Sequence, residues 1–343
     1  MNPYIKMNTS NDNTGNKKVY STPNEHKIEL FEQVDALKLR YIIDHAEKYE
    51  EKLIKPDSDE DWTLDKVLTI LNKSLKKVKK GKVKVSYKQT TASGKTGRYF
   101  GQGLQGMPRV VRHTIAKEFY FDVDLNNAHP TLLEWYCKEK GLRCEKLTNY
   151  IQYREEYFSA LHEFCDMDRD SAKSFMCAVI NGKVLKETHP ASEIEDIVDF
   201  YNELVVIRER IMDLEPNFVK LCKKKHKKAG KTNNLDGSVV NMVMCDLENK
   251  VLIEMVNFFQ SQKLSVDVLC FDGLMINNKN ITREKLLLLL RECEDYVLSE
   301  TGIKITIAIK EMDKDLKIPE EELLVRSYQA VKAQFEKDNF KCI

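Results

Sequence analysis

Residues 119–130 read FYFDVDLNNAHP: an apolar strand pattern that ends in two carboxylates two residues apart, Asp122 and Asp124, and runs through Asn126 and Asn127 into His129-Pro130. Strand side chains alternate with period two, so both aspartates face one side where the strand gives way to a turn or helix. Carboxylates this close repel each other, and a divalent cation is the usual compensation; hard oxygen donors suit Mg²⁺ or Mn²⁺. The plainer alternative is that Asp122 ends the strand and Asp124 caps the helix after it. A second stretch, SVDVLCFDGLMI at residues 265–276, favours the metal reading, because it places Asp272 after an apolar run and before Gly273 in a hairpin-like context. Two distant strands ending in aspartates, with a long helical region between them, suit a two-metal site for phosphoryl or nucleotidyl transfer.

Around these strands the chain is a mixed one. Its 343 residues carry a formal net charge of +1, so the overall charge makes no case for a polyanionic partner. The charge is blocked, however. Residues 73–88 hold eight lysines and no carboxylate, and residues 220–231 hold seven lysines and none. Such blocks are usually solvated faces, yet they are also what a phosphate backbone requires. The nine cysteines form no CxxC pair, and Cys137, Cys177, Cys245 and Cys270 sit in apolar patterns. They read as reduced core residues of an intracellular protein, not as a disulfide frame or a zinc site. No signal peptide or membrane-length apolar run is visible, so no membrane partner is expected.

Residues 1–27 are polar and aperiodic and read as a disordered leader. Residues 28–90 read as a helical, lysine-rich region: helical spacing at 28–54, a second amphipathic helix at 62–78, and a half-exposed strand KVKVSY at 82–87. Residues 91–130 and 236–316 form the part that holds the aspartates, and 131–235 are a helical insertion between them. Within it, helices are expected at 131–140, 147–164, 168–184 and 194–214; a further helix is expected at 239–259 and another at 282–298, followed by a strand at 304–309. Residues 317–343 read as a charged terminal helix or connector. The order gives an α+β plan, an antiparallel sheet with a helical insertion. The GKT at Gly94–Thr96 is not a phosphate-binding loop, since Gln89 stands where that motif needs glycine.

In the insertion, DRDSAKSFMCAVING at residues 168–182 places Arg169, Lys173, Cys177 and Asn181 at successive i+4 steps, on one stripe of a helix. Arg169 and Lys173 have the chemistry to grip a triphosphate, and the lysine could also protonate a departing pyrophosphate. The alternative for the same residues is an exposed basic edge.

Taken in order, Thr96-Gly97-Arg98, Leu104-Gln105, Arg112, Asp122, Arg169-x3-Lys173-x7-Asn181-Gly182, Asn241 with Cys245, and Phe271-Asp272-Gly273 resemble the motif series of family A DNA polymerases. The likeness spans about half of the chain. Asn181 stands where that family has tyrosine, Cys245 where it has glutamine, and Phe271 and Gly273 where its last motif has His and Glu. The text DVDLNNAHPTLL is closer to the divergent branch described from virophages and transpovirons, whose polymerase or primase module is commonly joined to a superfamily 3 helicase. The resemblance implies a right-hand plan with a palm at 91–130 and 236–316 and fingers at 131–235. It further implies template-directed nucleotidyl transfer in replicating a viral or plasmid genome, acting on nucleoside triphosphates and a DNA template and primer in the host cytoplasm. Asp122 and Asp272 would hold two Mg²⁺ (or Mn²⁺) ions, with Asp124 as a third ligand. Arg169, Lys173 and Asn181 would meet the nucleotide, and His129 or Asn127 its sugar. Arg98, Gln105, Arg109, Arg112 and Asn241 would meet the nucleic acid. The alternative is a non-catalytic nucleic-acid-binding replication module with a degraded palm.

Overall fold

The computed structural model describes residues 27–54, 63–89 and 97–326. The expected leader up to residue 26, the linker at 55–61 and most of the terminal connector lie outside the described residues, as does Thr96, while Lys27 of the leader belongs to a strand; a helix begins at Glu320 and runs to the edge of what is described.

The described part opens with β1 (Lys27–Gln33), where the spacing predicts a helix. Its inward positions are Leu30, Glu32 and, just beyond the strand, Val34, while Phe31 points to solvent. A carboxylate at an inward position interrupts the apolar alternation that would have announced a strand. Two helices follow, α1 (Ala36–Asp44), capped by the Asp35 carboxylate, and the single turn α2 (Glu50–Leu53). Next comes α3 (Leu64–Lys77), which Thr63 caps and whose last turn carries Lys76 and Lys77 against the carbonyl end of the helix dipole. The lysine-alternating text forms β2 (Lys82–Gln89) as expected, with Val83, Val85 and Tyr87 buried and Lys82, Lys84 and Lys88 outside. β2 lies between β1 and the short β3 (Tyr99–Phe100) in a three-stranded antiparallel sheet.

After α4 (Arg109–Ala116) the chain enters β4 (Tyr120–Leu125), the first aspartate strand. Asn127, in the left-handed region at φ 54°, turns it into α5 (Ala128–Glu139); asparagine tolerates that conformation better than most residues. The insertion then continues as α6 (Glu145–Gln152), α7 (Arg154–Cys165), α8 (Arg169–Ile180) and α9 (Glu195–Leu214). The single helix expected at 147–164 is therefore two, broken at Tyr153. The second lysine block is itself a helix, α10 (Pro216–Ala229), with proline in its first turn and Gly230 in the left-handed conformation at its end. The long α11 (Leu235–Ser261) returns the chain to the sheet.

β5 (Val266–Cys270) and β6 (Gly273–Asn277) form a tight hairpin, and α12 (Arg283–Thr301) leads to β7 (Ile307–Lys310). The second sheet has the order β5-β6-β4-β7, antiparallel throughout, so β4 lies at its centre, between β6 and β7. α11 packs on β5 and β6, α12 on β7, and β1 of the first sheet against β5. One continuous apolar core runs from Leu30 to Leu316. The fold is α+β, as the sequence predicts: helices collected in an insertion and laid against antiparallel sheets. Among the described residues no helix is long and apolar enough to cross a membrane. The described cysteines are unpaired, but Cys177 is exposed and not in the core.

Candidate active site

The β4–β6 register settles which carboxylates meet. Asp124 pairs with Gly273, and Asp122 pairs with Met275 two steps further from the hairpin turn. Asp272 forms that turn with Phe271, and its carbonyl accepts from Leu125 N at 3.2 Å. Asp124 and Asp272 are thus about one residue out of step, and Asp122 and Asp272 about three, or roughly 10 Å along the strand. The reading that led with Asp122 is corrected on this point: Asp124 is the nearer partner of Asp272, while Asp122 lies deeper, 7% exposed.

Gly273 makes the approach possible. A Cβ there would stand 2.5 Å from Val123 O and 2.8 Å from Asp124 Oδ1, so the carboxylate and the strand backbone occupy the space a side chain would need. The residue before Asp272 is also constrained: Phe271 adopts φ 59°, an unfavourable state for a bulky side chain. Its ring meets Phe100 edge-on, centroids 5.4 Å apart, and lies under the Arg98 guanidinium at 5.3 Å. Those contacts hold the turn that aims Asp272.

Burial and mutual repulsion set the electrostatics. The Asp272 carboxyl is pushed up to about 7, first by burial and then by the charges of Asp124 and Glu248. Burial followed by Asp124 pushes Asp122 up to about 6, with Arg112, Lys310 and Arg109 opposing the rise. No side chain among the described residues donates a hydrogen bond to Asp122 or Asp272. Asp124 bonds the ammonium of Lys310 on β7. Among the described residues no three His, Cys, Asp or Glu side chains are gathered closely enough to hold a metal by themselves. An ion at Asp124 and Asp272 would therefore draw its remaining ligands from water or a substrate phosphate, the usual habit of Mg²⁺.

Behind the turn sits a second ionic group. Glu248 of α11 is fully buried and takes Arg98 in two bonds, at 2.6 and 2.5 Å, while His129 Nε2 lies 3.2 Å from it and 3.0 Å from Arg98 Nη2. Burial works against the Arg98 charge, but the Glu248 carboxylate outweighs it and the pKa rises. Arg98 and His129, predicted to face nucleic acid and sugar, here brace α11 against β4's exit. His129 remains at the rim of the site, 17% exposed.

Asn181 and Asn241 also come together. Asn241 Nδ2 donates to Asn181 Oδ1 at 3.0 Å, and Asn234 Nδ2 donates to Asn181 O at 3.0 Å. Gly182 and Gly237 let the two backbones touch; a Cβ on Gly237 would lie 2.1 Å from Asn181 O. This joins the end of α8 to the start of α11, which carries Cys245 and Glu248 onward to the aspartates. Arg169 lies at the other end of α8, about 18 Å along the axis from Asn181, and is bound in two bonds by Glu155, at 2.9 and 2.7 Å. Lys173, on the same stripe, is exposed.

Gln105 is a correction. It is 5% exposed, and its amide is consumed inside the fold: Oε1 accepts from Gly101 N at 2.9 Å, and Nε2 donates to Tyr99 O at 3.0 Å and Leu269 O at 2.9 Å. It holds β3 to the β5 hairpin with both N–H donors spent, buried away from where a nucleic acid could reach it. The Arg112 charge bears on Asp122, and its buried Nε has no hydrogen-bond partner among the described residues. Arg109 is exposed beside it at the start of α4. Sequence reasoning missed Lys310. The alternation Lys304, Thr306, Ala308, Lys310 was the available signal, but strand pairing across 186 residues is not readable from it.

No family model matches this chain. "Putative helicase V13" of Sputnik virophage is 32% identical over 249 residues, which cover 69% of this chain and 31% of that protein. The chain thus spans about a third of the length of the curated relative it matches. Among solved structures, the POL domain of Pol1 from M. smegmatis, in complex with DNA primer-template and dNTP, aligns with a TM-score of 0.44 and 10% identity, covering 72% of this chain and 50% of that one.

Proposed function

We propose that this chain is a template-directed nucleotidyltransferase, a DNA polymerase or primase that replicates a viral or plasmid genome, with Asp124 and Asp272 as its metal ligands and Asp122 behind them. The observation that carries the reading is the meeting of Asp124 and Asp272 across Gly273, short of donors and with Asp272 raised to about 7. Divalent ions held there, two in the fullest form of the proposal, would activate a primer hydroxyl and neutralise the leaving pyrophosphate. The protein's own groups do the rest. Lys173 and Arg169 take the triphosphate, which for Arg169 requires exchange of Glu155 for phosphate, a swap between two charge-assisted bidentate partners. In this reading Lys173 also protonates the departing pyrophosphate. Asn181 and Asn241 border the incoming nucleotide, and Arg109 and Arg112 contact backbone phosphate. The relative's printed name supports the further proposal that a helicase module accompanies this one.

Incorporation of labelled dNTP and NTP on a primed template with Mg²⁺ tests the proposal. Asp272→Ala and Asp124→Ala should each lower the rate on the order of a thousandfold; near wild-type incorporation by either overturns it. Gly273, where the resembled motif has a carboxylate, favours one rival, a nucleic-acid-binding module without catalysis. Salt-dependent DNA binding with no incorporation by the unaltered protein would select that rival.

A further inference from the structure

We infer that Lys310 is a resident cation of the aspartate site, which a divalent ion must displace from Asp124 before the site is loaded. This rests on the reading of Asp124 and Asp272 as metal ligands, and deepens it with a loading step.

The register carries the argument. On β7 the residue directly across from Asp124 is Ala308, and Lys310 lies directly across from Asp122. An ordinary cross-strand ion pair would join Lys310 to Asp122. Instead the ammonium passes over the small Ala308 side of the strand and bonds Asp124 Oδ2 diagonally. Its charge is felt by all three aspartates: Asp124, Asp272 and Asp122 each raise its pKa against the effect of burial. In turn it lowers the pKa of Asp122 and of Asp272. The bond to Asp124 thus puts the ammonium at an oxygen that a metal cation would take.

Lys310 can also leave. Its side chain is 47% exposed, whereas the Asp124 side chain is 18% exposed and fixed by the strand. The four-carbon stem swings between the carboxylate and solvent with no change in the sheet. A doubly charged ion at the same oxygen outbids a single ammonium, but only after paying for its displacement, so the observed affinity is the intrinsic one scaled by the fraction of molecules with Lys310 withdrawn.

Two measurements on the full chain, without nucleotide or DNA, test the inference. The first is Mn²⁺ binding followed by electron paramagnetic resonance. Lys310→Met should bind Mn²⁺ on the order of tenfold more tightly than the unaltered protein, and Lys310→Arg should stay close to it. General electrostatics alone would also tighten binding, so the second measurement is the rate at which an amine-reactive acylating reagent labels Lys310, read peptide by peptide. Mg²⁺ should raise that rate severalfold in the unaltered protein, and Asp124→Asn should label fast with or without Mg²⁺. Unchanged labelling of Lys310 at saturating Mg²⁺, or equal Mn²⁺ affinity in Lys310→Met, overturns the inference while leaving the metal site standing. Absence of Mn²⁺ binding in every variant removes the metal site and the inference together.

Discussion

Two clusters of acidic side chains are built in opposite ways: one bridges β1 of the first sheet and β5 of the second, and the other lies where β4 meets the β5–β6 turn. In the first, Glu32 is 1% exposed, accepts from Tyr87 OH at 2.5 Å and Leu104 N at 2.6 Å, and faces Asp267, itself bound by Ser265 Oγ at 2.5 Å and by Tyr120 OH and Asn277 Nδ2 at 3.2 Å each. Asp267 is the extra residue of a bulge in β5, which turns it inward to meet these donors. In the second, Asp122 is buried and Asp272 half-buried, no side chain among the described residues donates to either, and Asp124 has only the Lys310 ammonium. A buried carboxylate saturated by fixed donors holds a structure together, whereas one left short of them at a turn has lone pairs to offer a ligand. The contrast separates the structural acids from the candidate catalytic ones without reference to any relative.

The largest stability effect should come from the saturated cluster. Burial pushes Glu32 up to about 7 from an ordinary 4.5, ahead of the opposing bonds from Tyr87 and Leu104. The folded state then keeps a proton that the unfolded chain releases, so this contribution is fully present below pH 4.5 and is lost as pH rises through 7. Over that window the loss should approach about 3 kcal/mol. Glu32→Gln, whose oxygen can accept from Leu104 N while its amide donates to a reversed Tyr87 hydroxyl, removes the titration and should flatten the profile in urea unfolding; a profile of unchanged slope would show that Glu32 is not the cause.

Next in size, Gly273→Ala forces a methyl between Asp124 and Asp272. It should cost about 2 kcal/mol of stability, with incorporation falling further than stability explains. A variant as stable and active as the parent would mean that the two strands do not approach as closely as described. Smaller again, and opposite in sign, is Asp272→Asn without divalent ions. The Asp272 pKa is raised, so its ionised form destabilises the fold above pH 7, and removing that charge should stabilise by about 1 kcal/mol at pH 8. The same substitution at Asp267, whose carboxyl oxygens take bonds from Ser265, Tyr120 and Asn277, should destabilise. Smallest is the effect of α10: exchanging Lys223, Lys224, Lys227 and Lys228 for glutamine should weaken single-stranded DNA binding and reduce its salt dependence, leaving thermal stability within about 0.5 kcal/mol.

The same contrast explains what could be read from the sequence. Asp122, Asp124 and Asp272 were legible because each follows an apolar run and precedes turn residues, and the long helices α9 and α11 were legible by their spacing. β1 was not, because Glu32 occupies a position that alternation reserves for an apolar side chain, while Leu30, Val34, Leu37 and Tyr41 imitate a helix. Gln105 looked available for a ligand because nothing local reveals that Leu269, 164 residues away, takes its amide. The priority of Asp124 over Asp122 depends on the register with β6, and the part played by Lys310 on the register with β7. Both are properties of strand pairing, which a periodic pattern marks as present but does not number.

The most direct test sets one acid of each cluster against the other in a single experiment: incorporation on a primed template with Mg²⁺ by Asp272→Asn and by Glu32→Gln, each with its unfolding curve. The account predicts that Asp272→Asn loses on the order of a thousandfold in rate while folding at least as stably as the parent, and that Glu32→Gln keeps its rate within about tenfold. Incorporation by Asp272→Asn within about tenfold of the parent would contradict it.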